Sequence, residues 1–378
     1  MIDFNTVFFL SFLVALGILI TIYRKRIKVE GPIFIFRTLE AKRFIERVGK
    51  KYAKFWNFIG TIAVVIGVIV SIITSFLLIK NAYLISIGTG GQGAALILPA
   101  PVSGAHLQYG ILWFPFQLWI IIIPLLIIPH EFFHGFISAA NKIKIKSLGL
   151  ILFLFIPGAF VEPDEKKLKT SKLMTQLRIY AAGSFANLLV AGMILLIVSA
   201  FHPYFYSPLG LGYQGNLKGY PAAQVNLSGI IEEINGVKIT SVQTMRSVLS
   251  NISPNTTITI KTSTGTFNLT TVANKNLTGS FIGIAGPFST AYKIKSEFVI
   301  FKPIIDGINL VLKWGFLFSI FIAMVNLLPM KPLDGGLMLE AILKKYVKDD
   351  GKIVNFVSIL FLFILVFNII GPYVMRII

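Results

Sequence analysis

Residues 117–140 read QLWIIIIPLLIIPHEFFHGFISAA. The first thirteen are apolar enough to sit in a bilayer, yet the run continues into His130, Glu131 and His134, with more apolar residues behind them. Charged side chains at the centre of a membrane-spanning helix cost about 2.5–3.5 kcal/mol each on insertion scales. Three ionisable groups within a turn and a half of helix therefore need a physical reason. On a helix, positions i and i+4 project from one face, about 6 Å apart along the axis. His130 and His134 can then grip one metal ion, with Glu131 beside them and within reach of a water there. Packing alone does not offset the cost of burying such groups, whereas metal binding does.

The rest of the chain supports a membrane setting. Of 378 residues, 55% are hydrophobic and 13% charged, about half the ~25% charged content of a soluble domain; the mean hydropathy is +0.79. Long apolar runs occupy Val7–Tyr23, Trp56–Ile79, Ile111–Pro129, Ile179–Phe201, Ile304–Leu328 and Ile353–Ile370, each near the ~20 residues that cross a hydrocarbon core. The expected fold is a polytopic α-helical membrane protein with about six transmembrane helices. The runs divide the chain into 1–110 (first membrane helices, a basic loop and an outer loop), 111–202 (core membrane helices with the two histidines), 203–292, and 293–378 (last membrane helices).

A net charge of +19 could signal a nucleic-acid partner, but its distribution argues against one. The basic stretches 24–28, 42–54, 141–146, 166–172 and 344–348 sit in short loops next to span ends, whereas Asn81–Gly110 has no Lys or Arg. Excess Lys/Arg beside spans marks the cytoplasmic side, which puts residues 81–110 and 203–292 outside. The N-terminal MIDFNT lacks a basic region before its apolar run, so the first span reads as retained, with the N-terminus outside. The chain has no cysteine, which excludes disulfides and thiolate metal ligands.

Residues 203–292 change character. Short β-type runs (GIIEEIN, TITIKTS, TFNLTTV, SFIGIAG) alternate with the turn signals Asn235-Gly236 and Thr264-Gly265 and one helical stretch, SVQTMRSVLSNI. About 90 residues suffice for a small α+β domain. N-x-S/T sites at Asn226, Asn251, Asn255, Asn268 and Asn276 cluster here, in agreement with an extracytoplasmic position. The order YPAAQVNLSGIIEEINGVKI followed by SVQTMRSVLS resembles a PDZ domain. That resemblance implies a groove that takes an extended peptide by strand addition; a spacer without ligand is the alternative.

A catalytic zinc needs a third protein ligand and one open position. Most of the 16 acidic residues lie in basic loops or in 203–292. Asp334 stands apart, in NLLPMKPLDGG (326–336) at the end of the fifth apolar run. Pro and Gly unwind a helix, and irregular backbone at membrane depth survives only where protein or a watery cavity covers it. Asp334 is thus the leading third ligand, against the alternative of a helix N-cap. Glu162 and Glu340, beside basic stretches, are weaker candidates.

HEFFH in one span and N-x-x-P-x4-D-G in a later one together resemble the site-2 protease family of intramembrane zinc metalloproteases. GLILFLFIPGAFVEPDE and QLRIYAAGSFANLLVAG are similar to the family's membrane-dipping β-hairpin and to a following helix with a buried Asn. Pro332 is three residues after Pro329, where family members often place it after two. The resemblance covers roughly residues 111–340 and implies one zinc per chain on His130, His134 and Asp334, with Glu131 as general base. It also implies that Asn326 and Asn187 lie near the substrate backbone or oxyanion. The substrates would be membrane-anchored proteins, cut within the bilayer near the cytoplasmic face. Two rivals remain at this stage: a metal transporter, and an inactive PDZ receptor or scaffold.

Overall fold

The computed structural model describes residues 4–25, 27–91, 93–154, 156–273, 279–347 and 350–375. Asn276, one of the five N-x-S/T sites, lies outside the described residues. The chain forms two compact units, one of Met1–Leu196 with Asn309–Ile378 and the other of Ile197–Ile308.

The first unit opens with α1 (Phe4–Ile22), the hairpin β1 (Ile27–Glu30) and β2 (Ile33–Arg37), then α2 (Leu39–Lys51) and α3 (Ala53–Ser86). Next come β3 (Leu96–Ala100), β4 (His106–Gln108), β5 (Ile111–Pro115) and α4 (Phe116–Ala140). A second hairpin, β6 (Ile145–Phe153) and β7 (Ile156–Pro163), precedes the short α5 (Glu165–Lys169) and the long α6 (Leu173–Phe205). The two hairpins merge into one antiparallel sheet in the order β1-β2-β6-β7, with Phe34 opposite Leu152 and Phe36 opposite Leu150. The basic loop expected at 24–54 therefore contains two strands and a helix.

Helix α2 is amphipathic. Ile45 and Gly49 face inward while its Lys and Arg face out, and Thr38 caps it by accepting from the Ala41 N–H. A Cβ on Gly49 would stand 2.6 Å from the Phe136 carbonyl oxygen, so glycine lets α2 lie directly on α4. Trp56 of α3 stacks on Phe136 with ring centroids 4.5 Å apart. With Ala63, Ile137, Ile145, Ala181 and Ala182 they form a core shared by α2, α3, α4, β6 and α6.

The expected span Ile111–Pro129 is corrected at both ends. Ile111–Pro115 is the strand β5, paired in parallel with β3 and antiparallel with β4. The helix starts at Phe116 and runs past Pro124 and Pro129 to Ala140. Each proline removes one N–H from the ladder, but neighbouring helices let a membrane helix tolerate this. His130 is consequently the fifteenth of 25 helical residues rather than the end of a span.

The second unit carries β8 (Tyr206–Gly212), β9 (Gly215–Asn216), α7 (Pro221–Gln224), β10 (Ile231–Ile234), β11 (Val237–Lys238) and α8 (Val242–Ser250). It continues with β12 (Thr257–Thr262), β13 (Gly265–Thr270), β14 (Val272–Ala273), β15 (Ser280–Phe281), β16 (Ile284–Ala285) and β17 (Ser289–Ile294). Its main sheet runs β13-β12-β10-β8-β17, with β11 paired to β10. Leu211, Ile231, Ile234, Met245, Leu249, Ile258 and Ile260 fill the core beneath it. Asn235 and Gly236, at φ 49° and 79°, turn the chain between β10 and β11. Positive φ at both central residues is the tight hairpin geometry that Asn-Gly favours.

A 3-10 turn (Ser296–Phe301) leads into α9 (Lys302–Asn326), followed by α10 (Asp334–Tyr346) and α11 (Asp350–Val374). Asn368 of α11 is fully buried and donates to the Leu78 carbonyl at 3.1 Å, while Asn81 donates to its Oδ1 at 2.9 Å, which ties α11 to α3. Six helices among the described residues are long and apolar enough to cross a membrane: α1, α3, α4, α6, α9 with its preceding turn, and α11.

Candidate metal centre and active site

Three elements converge on one point of the first unit. Helix α4 carries His130 and His134 on one face, their Nε2 atoms 3.2 Å apart. Asp334 opens α10, and its Oδ2 stands 3.6 Å from each Nε2. Leu333, not Asp334, is the N-cap of α10, so the capping alternative falls. Between α9 and α10 the chain runs irregularly through Leu327–Leu333. Gly335 and Gly336 press the first turn of α10 against the backbone of Leu327 and Met330, where a Cβ has no room.

The donor set fits zinc. Nitrogen and oxygen donors about 2.0–2.1 Å from a tetrahedral centre lie about 3.3–3.4 Å from one another, and the separations here are 3.2, 3.6 and 3.6 Å. The three side chains are only 11%, 13% and 14% exposed. A carboxylate buried this far needs a compensating charge, which a divalent cation supplies. Helix α6 orients the donors. The Ile179 carbonyl accepts from His134 Nδ1 at 2.6 Å, leaving Nε2 as the ligating atom. Three protein donors leave a fourth position open, as in catalytic rather than structural zinc sites.

Glu131 stays outside this triangle. Its Oε2 accepts from the Val161 N–H at 2.8 Å, which anchors the carboxylate to β7, the edge strand of the four-stranded sheet. Toward the start of α4, an apolar cavity of about 450 Å³ lies between α1, α4 and the sheet, lined by Leu16, Tyr23, Phe36, Ile127, Ile151 and Ala159 among others. Ile127 is one helical turn before Glu131, on the same face of α4.

The pattern of peptidase family M50 matches residues 118–366. The chain belongs to peptidase family M50. M50 proteases are zinc-dependent metalloproteases, and the match takes in most of α4, all of α6 and α10, and most of α11. An uncharacterized protein of Methanocaldococcus jannaschii is 30% identical over 335 residues, which are 85% of this chain and 82% of the relative. With six long apolar helices among the described residues, this M50 chain is a multi-pass membrane protein of the site-2 protease family.

The remaining candidates are placed as follows. Asn187 is fully buried, its amide 3.3 Å from His130 Nδ1. Asn326 ends α9, half-buried, and its side chain has no hydrogen bond among the described residues. Glu162 is exposed and accepts from Ser147 Oγ, and Glu340 pairs with Lys331 at 2.8 Å; neither joins the His-His-Asp group. The sequence reading missed Ile179, Gly183 and Ser184, which also border the site. The small pair Gly183-Ser184, one turn before Asn187, was the available signal.

Proposed function

We propose that this chain hydrolyses peptide bonds inside the transmembrane segments of membrane-anchored proteins. One zinc per chain is held by His130, His134 and Asp334. The observation that carries the reading is the separation of the three donors, 3.2, 3.6 and 3.6 Å, within an apolar helix bundle. Bound there, zinc supplies Lewis acidity, polarising the scissile carbonyl and lowering the pKa of water toward ~7. Glu131 takes the proton of the attacking water and delivers it to the leaving nitrogen as the C–N bond breaks. The Val161 N–H keeps that carboxylate turned to the reacting atoms.

An intact transmembrane helix hides its peptide bonds in its own hydrogen bonds, so a substrate must be extended before the cut. The β6–β7 hairpin, dipping into the membrane, offers an edge for this. Val161 directs its N–H away from β6, and Ala159, two residues earlier on β7, faces the same way. An extended substrate strand can add there, with apolar side chains in the neighbouring cavity. The Lys/Arg-rich loops orient the chain with residues 24–54, 141–178 and 341–352 in the cytoplasm and 203–292 outside, as a PDZ-like domain that filters substrates or binds a peptide.

Two measurements test the proposal. Elemental analysis should give one zinc per wild-type chain and none in His130→Ala/His134→Ala. Detergent-solubilised protein should cut membrane-anchored test proteins, and a zinc chelator should stop it. Equal zinc in both chains, or cleavage that a chelator leaves untouched, would sink the reading.

A further inference from the structure

The chain leaves the apolar length of α6 at Phe205 and returns to the next span through β17 and the 3-10 turn before α9. Strands β8 and β17 pair at this point, with Tyr206 opposite Ile294, and the Lys295 N–H donates to the Phe205 carbonyl at 3.0 Å. The pairing brings the last turn of α6 beside the end of β17. A cavity of about 540 Å³ lies there, lined by Ser199, His202, Tyr206, Ser207, Tyr292 and Lys295 among others. That volume falls within the ~300–1,000 Å³ typical of small-molecule sites.

The aromatic walls of the cavity hold the imidazole in place. His202 stacks on Tyr206 with centroids 4.9 Å apart and meets Tyr292 edge-on at 4.3 Å. Tyr206 is itself fixed, since its hydroxyl donates to Asp306 Oδ1 at 3.0 Å. The other oxygen of Asp306 pairs with Lys302, so this carboxylate is already neutralised. Lys295, half-buried, has no carboxylate partner among the described residues. Neither its ammonium nor the ring nitrogens of His202 make a hydrogen bond among those residues. An ammonium offers three donors and an imidazole at least one, a set that suits a phosphate.

Position selects the source of that phosphate. Tyr204, Ile300, Phe301 and Ile304, on the two span ends around the cavity, are exposed. Tyrosines at span ends mark the level of the lipid headgroups. We propose that His202 and Lys295 bind the phosphate of a phospholipid headgroup, with Tyr206 and Tyr292 holding the imidazole toward it. The site rests on α6 and α9 being membrane spans and is independent of the peptidase reading; the proposed orientation places it in the outer leaflet.

The test uses the full chain, stripped of lipid in detergent, with bound lipid counted by native mass spectrometry. Wild type should hold one phosphatidylglycerol that neither the matching diacylglycerol nor an equal concentration of inorganic phosphate displaces. Lys295→Met and His202→Leu should each weaken that lipid about tenfold or more, the worth of one hydrogen bond to a charged group. Lys293→Met, on an exposed neighbour outside the cavity lining, should bind as wild type does. Wild-type affinity in Lys295→Met, or equal losses in Lys293→Met and Lys295→Met, would overturn the site. Diacylglycerol bound as tightly as phosphatidylglycerol would remove the phosphate from the account and overturn it as well. Displacement by inorganic phosphate would make the ligand a solution anion, which overturns the lipid assignment. If His202→Leu does not fold, the two lysine variants decide alone.

Discussion

Two carboxylates lie close to the same pair of histidines, and their surroundings separate their roles. Asp334 is nearly equidistant from both Nε2 atoms, whereas Glu131 is turned toward the Val161 N–H on the neighbouring strand. Glu131→Gln preserves size and can still accept from Val161, but has no proton acceptor of carboxylate strength. It should keep full zinc and lose cleavage by about 10²–10⁴-fold; a variant with wild-type turnover would make Glu131 structural. Asp334→Asn should lower both zinc content and activity, while Glu162→Gln and Glu340→Gln change neither. Elemental analysis of the three variants decides this, and full metal in Asp334→Asn would move the third-ligand role elsewhere. His130, His134 and Asp334 were legible because ionisable side chains in apolar runs violate composition. Their supports were not, because a carbonyl such as that of Ile179 leaves no trace in side-chain identity.

At the scale of elements, the informative helix is α6. Gly183 faces both imidazoles, and any side chain there meets His130 and His134. Alanine in a helix interior is favoured over glycine by about 0.5–1 kcal/mol, so propensity alone makes Gly183→Ala harmless. The site predicts otherwise. This variant should melt within a few degrees of wild type in the absence of metal, yet bind zinc at least about tenfold more weakly. Unchanged affinity would mean that the imidazoles have room to spare. Sequence hydropathy located the six long apolar helices found among the described residues but misplaced the start and end of α4. Prolines usually end helices, and in a bilayer that rule weakens. The joining of β1–β2 to β6–β7 was invisible for another reason. Strands of four or five residues are too short to display alternation, and the partner that links β2 to the second hairpin lies more than 100 residues away.

On the scale of the whole molecule, the account depends on which side each loop faces. Lys and Arg cluster around residues 24–54 and 141–172 and are absent from 81–110, and the proposed orientation rests on that pattern through the positive-inside rule. The natural absence of cysteine makes a clean labelling experiment possible. A membrane-impermeant thiol reagent added from outside should label Asn268→Cys and leave Thr170→Cys untouched until the membrane is opened. External labelling at position 170 would reverse the topology. Replacing residues 205–290 with a short linker should leave the zinc stoichiometry unchanged, because the three proposed ligands belong to the other compact unit.

The central claim is that the cut falls inside the bilayer at a zinc centre. Its most direct test is to reconstitute the purified chain in vesicles with a single-span protein substrate and map the new termini by mass spectrometry, with Glu131→Gln run in parallel. The account predicts one chelator-sensitive cut within the substrate's apolar segment, in its cytoplasmic half, that is missing from the Glu131→Gln reaction. A cut in a soluble loop of the substrate, or one that persists in the variant, would contradict it.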